Sequence, residues 1–239
     1  MTGIRFDHIA MAAHRLVDAP DVLVGVLGGE VHTGGPSGAY TWTTWRYANG
    51  GCLEVLEPRG EDGFLHRHLT TRGPGVHHVT FRVPSLAAVC ARAVEHGYRI
   101  VGYDDSDPSW SEAFLHPKEA LGIVVQLAES RVPAAPRPWP GPPGPPEPPT
   151  PVAIVGLRLR ARAAERADTQ WGRVLEGERS GEGGVLIYRW PESPMRLVVE
   201  IAPDAEEGPL AVEYAAARAV HLAETPVPAL GTVFRRSRS

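Results

Sequence analysis

The chain has 239 residues, 43% hydrophobic and 22% charged, which allows one large or two small globular domains with a packed core. A net charge of −4 leaves no basic footprint for nucleic acid, and the ending Arg235, Arg236, Arg238 is too short to serve as a binding arm. No apolar stretch approaches the roughly 20 residues that span a bilayer, the opening residues do not read as a signal peptide, and Cys52 and Cys90 are expected to be reduced, so a soluble cytoplasmic protein is expected.

The chain opens on an alternating strand, FDHIAMAA at 6–13. A helix is predicted near Ala19 to Leu27, followed by strands at roughly 40–48 and 51–57. HHVTFRVP at 77–84 then echoes the opening strand, and LGIVVQLAE at 121–129 echoes GGCLEVLEP at 50–58, a repeat of about 70 residues. The second unit predicts a helix from Leu86 to Glu95, closed by Gly97, and strands at roughly 99–103, 111–115 and 122–128. The second unit reads as a βαβββ module, and the repeat makes the first its counterpart.

From Arg131 to Pro151, 11 of 21 residues are proline, so neither a helix nor a strand ladder runs through this segment. It is a linker that favours extended polyproline II and acts as a semi-rigid spacer or strap. VAIVGLRLRAR at 152–162 opens a third, degenerate module with a helix from Ala163 to Leu175 and strands in GGVLIYRW and MRLVVEIAP. Gly156 stands where the repeat predicts a histidine. Val199, or Glu200 after a slip of one, stands where it predicts Glu54. No metal is expected there, and a vestige of a fourth module begins at Leu210.

Successive side chains of a strand point to opposite faces. In the four matched strands one face is apolar: Ile9 and Met11, Leu53 and Val55, Val79, Phe81 and Val83, Val125 and Leu127. It suits packing under helices. The opposite face carries His8 with Ala10 and Ala12, Glu54 with Cys52, His78 with Thr80, and Gln126 with Val124 and Ala128. Polar ligand types flanked by small residues point to a cleft. Two imidazoles, one carboxylate and one amide oxygen make a donor set for a single divalent ion, Zn²⁺, Co²⁺, Ni²⁺, Mn²⁺ or Fe²⁺.

His77 has the opposite parity and is expected at the strand edge. His14, His66, His68 and His96 have no matching partner and are expected to be solvated, as are Arg46 and Arg82, whose alternative role is to neutralise an anionic substrate. His116 either faces the cleft or stabilises the turn at Pro117. Trp42, Trp45, Trp110 and Phe114 sit on the middle strands, where core filling is the default and pocket lining the alternative; Trp45, Trp110 and Phe114, together with His116, are the expected substrate contacts.

Over residues 5–130 the pieces FDHIAMAA, LEVLEP, GPGVHHVTFRVPSLAAVCARAVEHGYRI and AFLHPKEALGIVVQLAE resemble the vicinal oxygen chelate superfamily, and within it methylmalonyl-CoA epimerases and lactoylglutathione lyases. The resemblance implies an α+β fold: tandem βαβββ modules forming a curved mixed sheet around a metal cleft, here with a degenerate third module. Its divisions are 1–130, the linker 131–151 and 152–239. It implies that His8, Glu54, His78 and Gln126 take the four ligand places. It also implies proton transfer next to a carbonyl of an acyl-CoA thioester or hemithioacetal-like substrate, with a metal-stabilised enolate. Such epimerases and lyases normally carry Glu in the last place, where it also moves the proton, whereas Gln126 cannot accept one. Glu54 is then the nearest base, a metal-bound hydroxide is the second possibility, and Gln126 stands with Glu54 among the expected catalytic residues. The alternatives are a non-catalytic binder of a drug or metabolite and an extradiol-type dioxygenase. A small-molecule substrate is the expected partner, a homodimer is one assembly consistent with it, and residues 1–130 are expected to fold alone and keep the metal.

Overall fold

The computed structural model describes residues 3–131 and 139–237, so residues 132–138 of the linker and Arg238 lie outside the described residues. The first module runs β1 (Arg5–Ala12), α1 (Pro20–Leu23), β2 (Glu30–Ser37), β3 (Tyr40–Arg46) and β4 (Cys52–Pro58), and α2 (Phe64–Arg72) follows it. The second is β5 (Gly75–Arg82), α3 (Leu86–Glu95), β6 (Ile100–Asp107), β7 (Trp110–Leu115) and β8 (Val124–Ser130). The third is β9 (Ala153–Ala161), α4 (Ala164–Ala167) continuing into a π-helix at Asp168–Val174, then β10 (Glu178–Ser180), β11 (Val185–Arg189) and β12 (Arg196–Ile201). β13 (Gly208–Ala215) and β14 (Phe234–Arg236) end the chain. No helix among the described residues is long and apolar enough to cross a membrane.

The strands form one sheet in the order β2-β3-β4-β1-β5-β8-β7-β6 and another in the order β10-β11-β12-β9-β13-β14. In each module the first and last strands pair in parallel, with Ala10 opposite Glu54, Thr80 opposite Gln126 and Arg158 opposite Val198. β13 and β14 also pair in parallel, Val212 opposite Phe234. These two strands lie where a vestige of a fourth module was expected, and residues 153–201 follow the order β, helix, β, β, β.

Three elements were not expected. β2 contains Gly34, Gly35 and Pro36 and sits at the sheet edge, where a proline and weak alternation are tolerated. α2 and the short β10 also fell between predicted elements. The helix expected over Ala19 to Leu27 shrinks to four residues, because Val22, Val24 and Val26 are β-branched and Gly25 weakens what remains. By contrast α3 has the predicted bounds, with the Ser85 hydroxyl accepting the Ala88 N–H and Leu86, Val89, Cys90 and Ala93 buried. Cys52 and Cys90 are both free thiols.

The third module's counterpart of Glu54 is neither Val199 nor Glu200. The parallel register puts the residue opposite position 158 in that place, and this is Val198. Gly156 stands in the histidine place with φ +150, and a Cβ there would come 1.9 Å from the Arg196 carbonyl oxygen. A histidine cannot be accommodated without moving the β9–β12 ladder. Gly156→Ala is expected to cost about 2–6 kcal/mol from backbone strain plus overlap. The urea midpoint measures it, and an unchanged midpoint would disprove the close approach.

By its contacts the chain divides into two compact units, neither of which follows the linker: Met1–Asp7 with His78–Ala135 and Gly156–Leu210, and His8–His77 with Pro136–Val155 and Ala211–Ser239. In the first, Phe6 stacks on Phe81 at 5.0 Å, and Trp190 meets both edge-on, 4.7 Å from Phe81. Trp171 of the π-helix lies 6.0 Å from Phe81. Ser193 donates its hydroxyl to the Phe6 carbonyl at 2.7 Å, and Arg92 of α3 donates to the Val174 carbonyl at 2.8 Å. In the second unit, residues 139–151 carry no helix or strand. The Trp139 indole donates to the Thr43 hydroxyl at 2.8 Å, and Arg218 donates to the Thr150 and Val26 carbonyls.

Candidate functional site

All nine apolar-face residues predicted from alternation are buried, from Ile9 to Leu127. Their strand neighbours therefore share the other face. In the second unit His8 is 8% exposed and Glu54 is 7% exposed. The parallel β1–β4 ladder sets His8 one pleat from Ala10, which lies opposite Glu54, and the His8 Nε2 atom comes 3.7 Å from Glu54 Oε1. Burying a carboxylate beside an imidazole is costly unless ionic or coordinating partners offset it, as a ligand pair requires. Farther along this face Ala10, Ala12 and Leu56 pack under Leu65 and Leu69 of α2, with Tyr40 and Trp42 against them. The small residues read as cleft walls are thus capped by a helix on this side.

In the first unit His78 and Gln126 are buried on adjacent parallel strands. The Thr80 hydroxyl donates to Gln126 Oε1 at 2.5 Å, and Gln126 Nε2 donates to Glu112 Oε2 at 2.8 Å. These bonds fix the amide's orientation. Its oxygen keeps a second lone pair for a cation, as a neutral ligand should. The Trp110 indole donates to the same Glu112 oxygen at 2.9 Å, and the Arg82 guanidinium carbon lies 4.1 Å over the Trp110 ring. Of the described His, Cys, Asp and Glu side chains, His8, Glu54 and His78 are the group suited to hold a metal ion, all three buried.

Other expectations fare differently. Trp45 is not on the site face: it is fully buried opposite Leu53, with the apolar parity, and Trp42 holds the face instead. Trp110 and Phe114 do lie on the site face, Phe114 opposite Gln126. His116 is a turn residue: its Nδ1 accepts the Lys118 N–H at 3.2 Å, and its carbonyl accepts the Ala120 N–H at 3.0 Å. Arg82 is not solvated, with only 19% of its side chain exposed and Asp7 at 3.5 Å, whereas Arg46 is exposed. His77 lies within β5 rather than at an edge. Its ring meets His68 at 4.8 Å and Phe64 at 5.5 Å. Burial, and then the neighbouring His68, lower the His77 pKa to about 3, so this imidazole stays neutral near pH 7. His68 is consequently half-buried rather than solvated; burial, then Arg72, lowers its pKa.

Glu112 is a further carboxylate on the site face that the sequence did not single out. It lies between Trp110 and Phe114 with their strand parity, opposite Ala128. Alternation on β7 was its available signal.

Parallel-ended βαβββ modules with ligand-type residues on their matched strands are the arrangement that the following similarities share. Residues 7–114, a little under half of the chain, match the Glyoxalase/Bleomycin resistance protein/Dioxygenase superfamily. The chain is 28% identical over 130 residues to YqjC of Bacillus subtilis (strain 168), an uncharacterized protein, covering 53% of this chain and 93% of YqjC. A methylmalonyl-CoA epimerase of Streptomyces coelicolor is 26% identical with a TM-score of 0.48, over 54% of this chain and 98% of that one. A hypothetical protein from Staphylococcus aureus shares the fold over 98% of this chain and 99% of its own, with a TM-score of 0.66 and 13% identity. The part of the chain beyond the linker thus belongs to a fold that another whole chain shares.

Proposed function

We propose that the protein is a metal-dependent isomerase or epimerase, or a lyase of the same type, that moves a proton on the carbon next to a carbonyl of an acyl-CoA thioester or hemithioacetal-like substrate. The observation that carries this is Glu112, a carboxylate on the site face, held by the amide that occupies the last ligand place. A base was the missing part. Glu112 supplies an acceptor from the second module, and Glu54 supplies a second carboxylate from the first. His8, Glu54, His78 and Gln126 would hold one divalent ion, since two imidazoles and two oxygens fit Zn²⁺, Co²⁺, Ni²⁺, Mn²⁺ or Fe²⁺. When bound, that ion supplies positive charge to the developing enolate oxygen. Thr80 and Glu112 hold Gln126 in its place, while Trp110 and Phe114 flank the substrate. In this reading 1–130 is the catalytic module pair, 131–151 its strap, and 152–239 a degenerate module without ligands.

Deuterium uptake from D₂O into acyl-CoA thioesters and hemithioacetals tests the activity. Exchange that tracks metal content supports it, and none with either class would reject it in favour of a non-catalytic binder. The metal is tested separately. The parent should carry about one equivalent per chain, and His8→Ala or His78→Ala should lose it with little change of fold, each being on the strand face opposite the apolar one. Elemental analysis decides this, and full metal content in both variants would reject the ligand set. His77→Ala should leave the content nearly unchanged.

A further inference from the structure

We propose that α2 is a lid over the first-module part of the site face, and that a small molecule reaches His8 and Glu54 when this helix lifts about Gly63 and Gly73. The inference rests on the proposed function for what passes beneath the lid, but not for its movement.

His8 and Glu54 are both buried, so a ligand gains them only if something on their face moves. α2 sets Leu65 and Leu69 on Ala10, Ala12 and Leu56, and Ala10 lies directly opposite Glu54 in the β1–β4 ladder. Those two leucines are the only buried residues of the helix. Its nine residues fall short of the ~12–15 at which an isolated helix becomes even marginally stable, so α2 depends on that contact. Its N-terminus has no side-chain cap, and its first turn has no acidic residue to complement the helix dipole. The Thr71 hydroxyl donates back to the Arg67 carbonyl at 2.7 Å, a bond that weakens helices. α3 has what α2 lacks: the Ser85 cap and four buried side chains. Beside the leucines the contacts are between rings, Phe64 with Tyr40 at 5.8 Å and with His77 at 5.5 Å, and His68 with His77 at 4.8 Å.

Both ends of the helix are glycines in the left-handed region, with φ +129 at Gly63 and +73 at Gly73. Crowding does not call for them. A Cβ at Gly73 would meet nothing within 4 Å, and one at Gly63 would meet the Ala39 Cβ at 3.9 Å, an ordinary contact. What they supply is backbone freedom on either side of one short, weakly held helix, which is how hinged covers are built. Lifted, α2 uncovers Ala10, Ala12 and Leu56 on the face that carries His8 and Glu54.

Thiol labelling of the full chain with an aromatic disulfide reagent, the labelled sites read by peptide mass analysis, tests the movement. Ala12→Cys puts a thiol beneath α2, and Val55→Cys puts one on the apolar face of β4; both positions are fully buried. The first should be labelled about 100-fold faster than the second, at a rate that low urea leaves unchanged, because local opening exposes little surface. Adding Leu69→Ala should speed the labelling of Ala12→Cys by about 10- to 100-fold, since it removes one of the two side chains that hold the helix down. In the unsubstituted chain, backbone hydrogen exchange should be faster in α2 than in α3 by about 100-fold as well. Labelling of Ala12→Cys no faster than that of Val55→Cys overturns the proposal, and so does labelling that Leu69→Ala leaves unchanged. Equal protection of α2 and α3 overturns it whether or not the variants fold. None of these readouts needs metal or turnover, so a failure of the lid is distinguishable from a failure of the metal site or of proton exchange.

Discussion

Glu112→Gln is expected to slow deuterium exchange by a factor of roughly 10² to 10⁴, the range for removal of a general base, while metal content stays near that of the parent. The substitution preserves shape. Its amide oxygen can still accept from Gln126 and from the Trp110 indole, the two donors now 2.8 and 2.9 Å from the Glu112 carboxylate. What it removes is the ability to take a proton. Glu54→Gln behaves differently, because Glu54 is the carboxylate beside His8 in the proposed ligand set: metal affinity should fall together with exchange. Comparing the two variants by elemental analysis and by exchange separates a base from a ligand. If Glu112→Gln exchanges as fast as the parent, proton transfer belongs to Glu54 or to another group.

Why Glu54 was legible in the sequence and Glu112 was not follows from what each depends on. His8, Glu54, His78 and Gln126 lie on strands that repeat, and a side-chain period of two assigns each a face without any knowledge of pairing. The matched strands also fix the module order, which the parallel pairs Ala10 with Glu54 and Thr80 with Gln126 reproduce. Glu112 acquires its meaning from register. Only the pairing of β7 with β8 places it opposite Ala128 and next to the Gln126 amide. Register likewise separates Trp42 from Trp45: three residues apart on β3, they occupy opposite faces, and the pairing of Trp45 with Leu53 sends it to the core. α2 was illegible for a different reason. FLHRHLTTR buries only Leu65 and Leu69, a stripe too narrow to signal a helix, so its cover over Ala10, Ala12 and Leu56 could not be foreseen. The partition at the proline-rich segment was visible in composition, yet nothing in composition reports that Phe6 and Phe81 share a core with two tryptophans from beyond it.

Residues 1–130 expressed alone are now expected to be insoluble or unfolded, against the expectation from ligand positions. All four proposed ligands precede the linker, but the packing does not end there. Phe6 and Phe81 are fully buried, and their neighbours Trp171 and Trp190 both come from the third module. A buried tryptophan removes roughly 150–250 Å² from water, worth about 4–6 kcal/mol each at ~25 cal/mol per Å². Losing both approaches the whole stability of a typical domain, about 5–15 kcal/mol. The cut also strips Phe6 of its Ser193 hydrogen bond and α3 of the Val174 carbonyl held by Arg92. In the other unit it removes the Trp139 bond to Thr43 and the Asn49 bond to the Ile154 carbonyl, 2.8 Å each. Trp190→Ala in the full chain isolates the aromatic part of the effect and should cost about 3–5 kcal/mol by urea denaturation, the usual range for deleting a buried tryptophan. Co-expressing 139–239 with the fragment should recover soluble protein if the aromatic core is what the fragment lacks. A soluble 1–130 fragment with a cooperative thermal transition would show instead that the paired modules are stable without that core, and that the tryptophans only cover them.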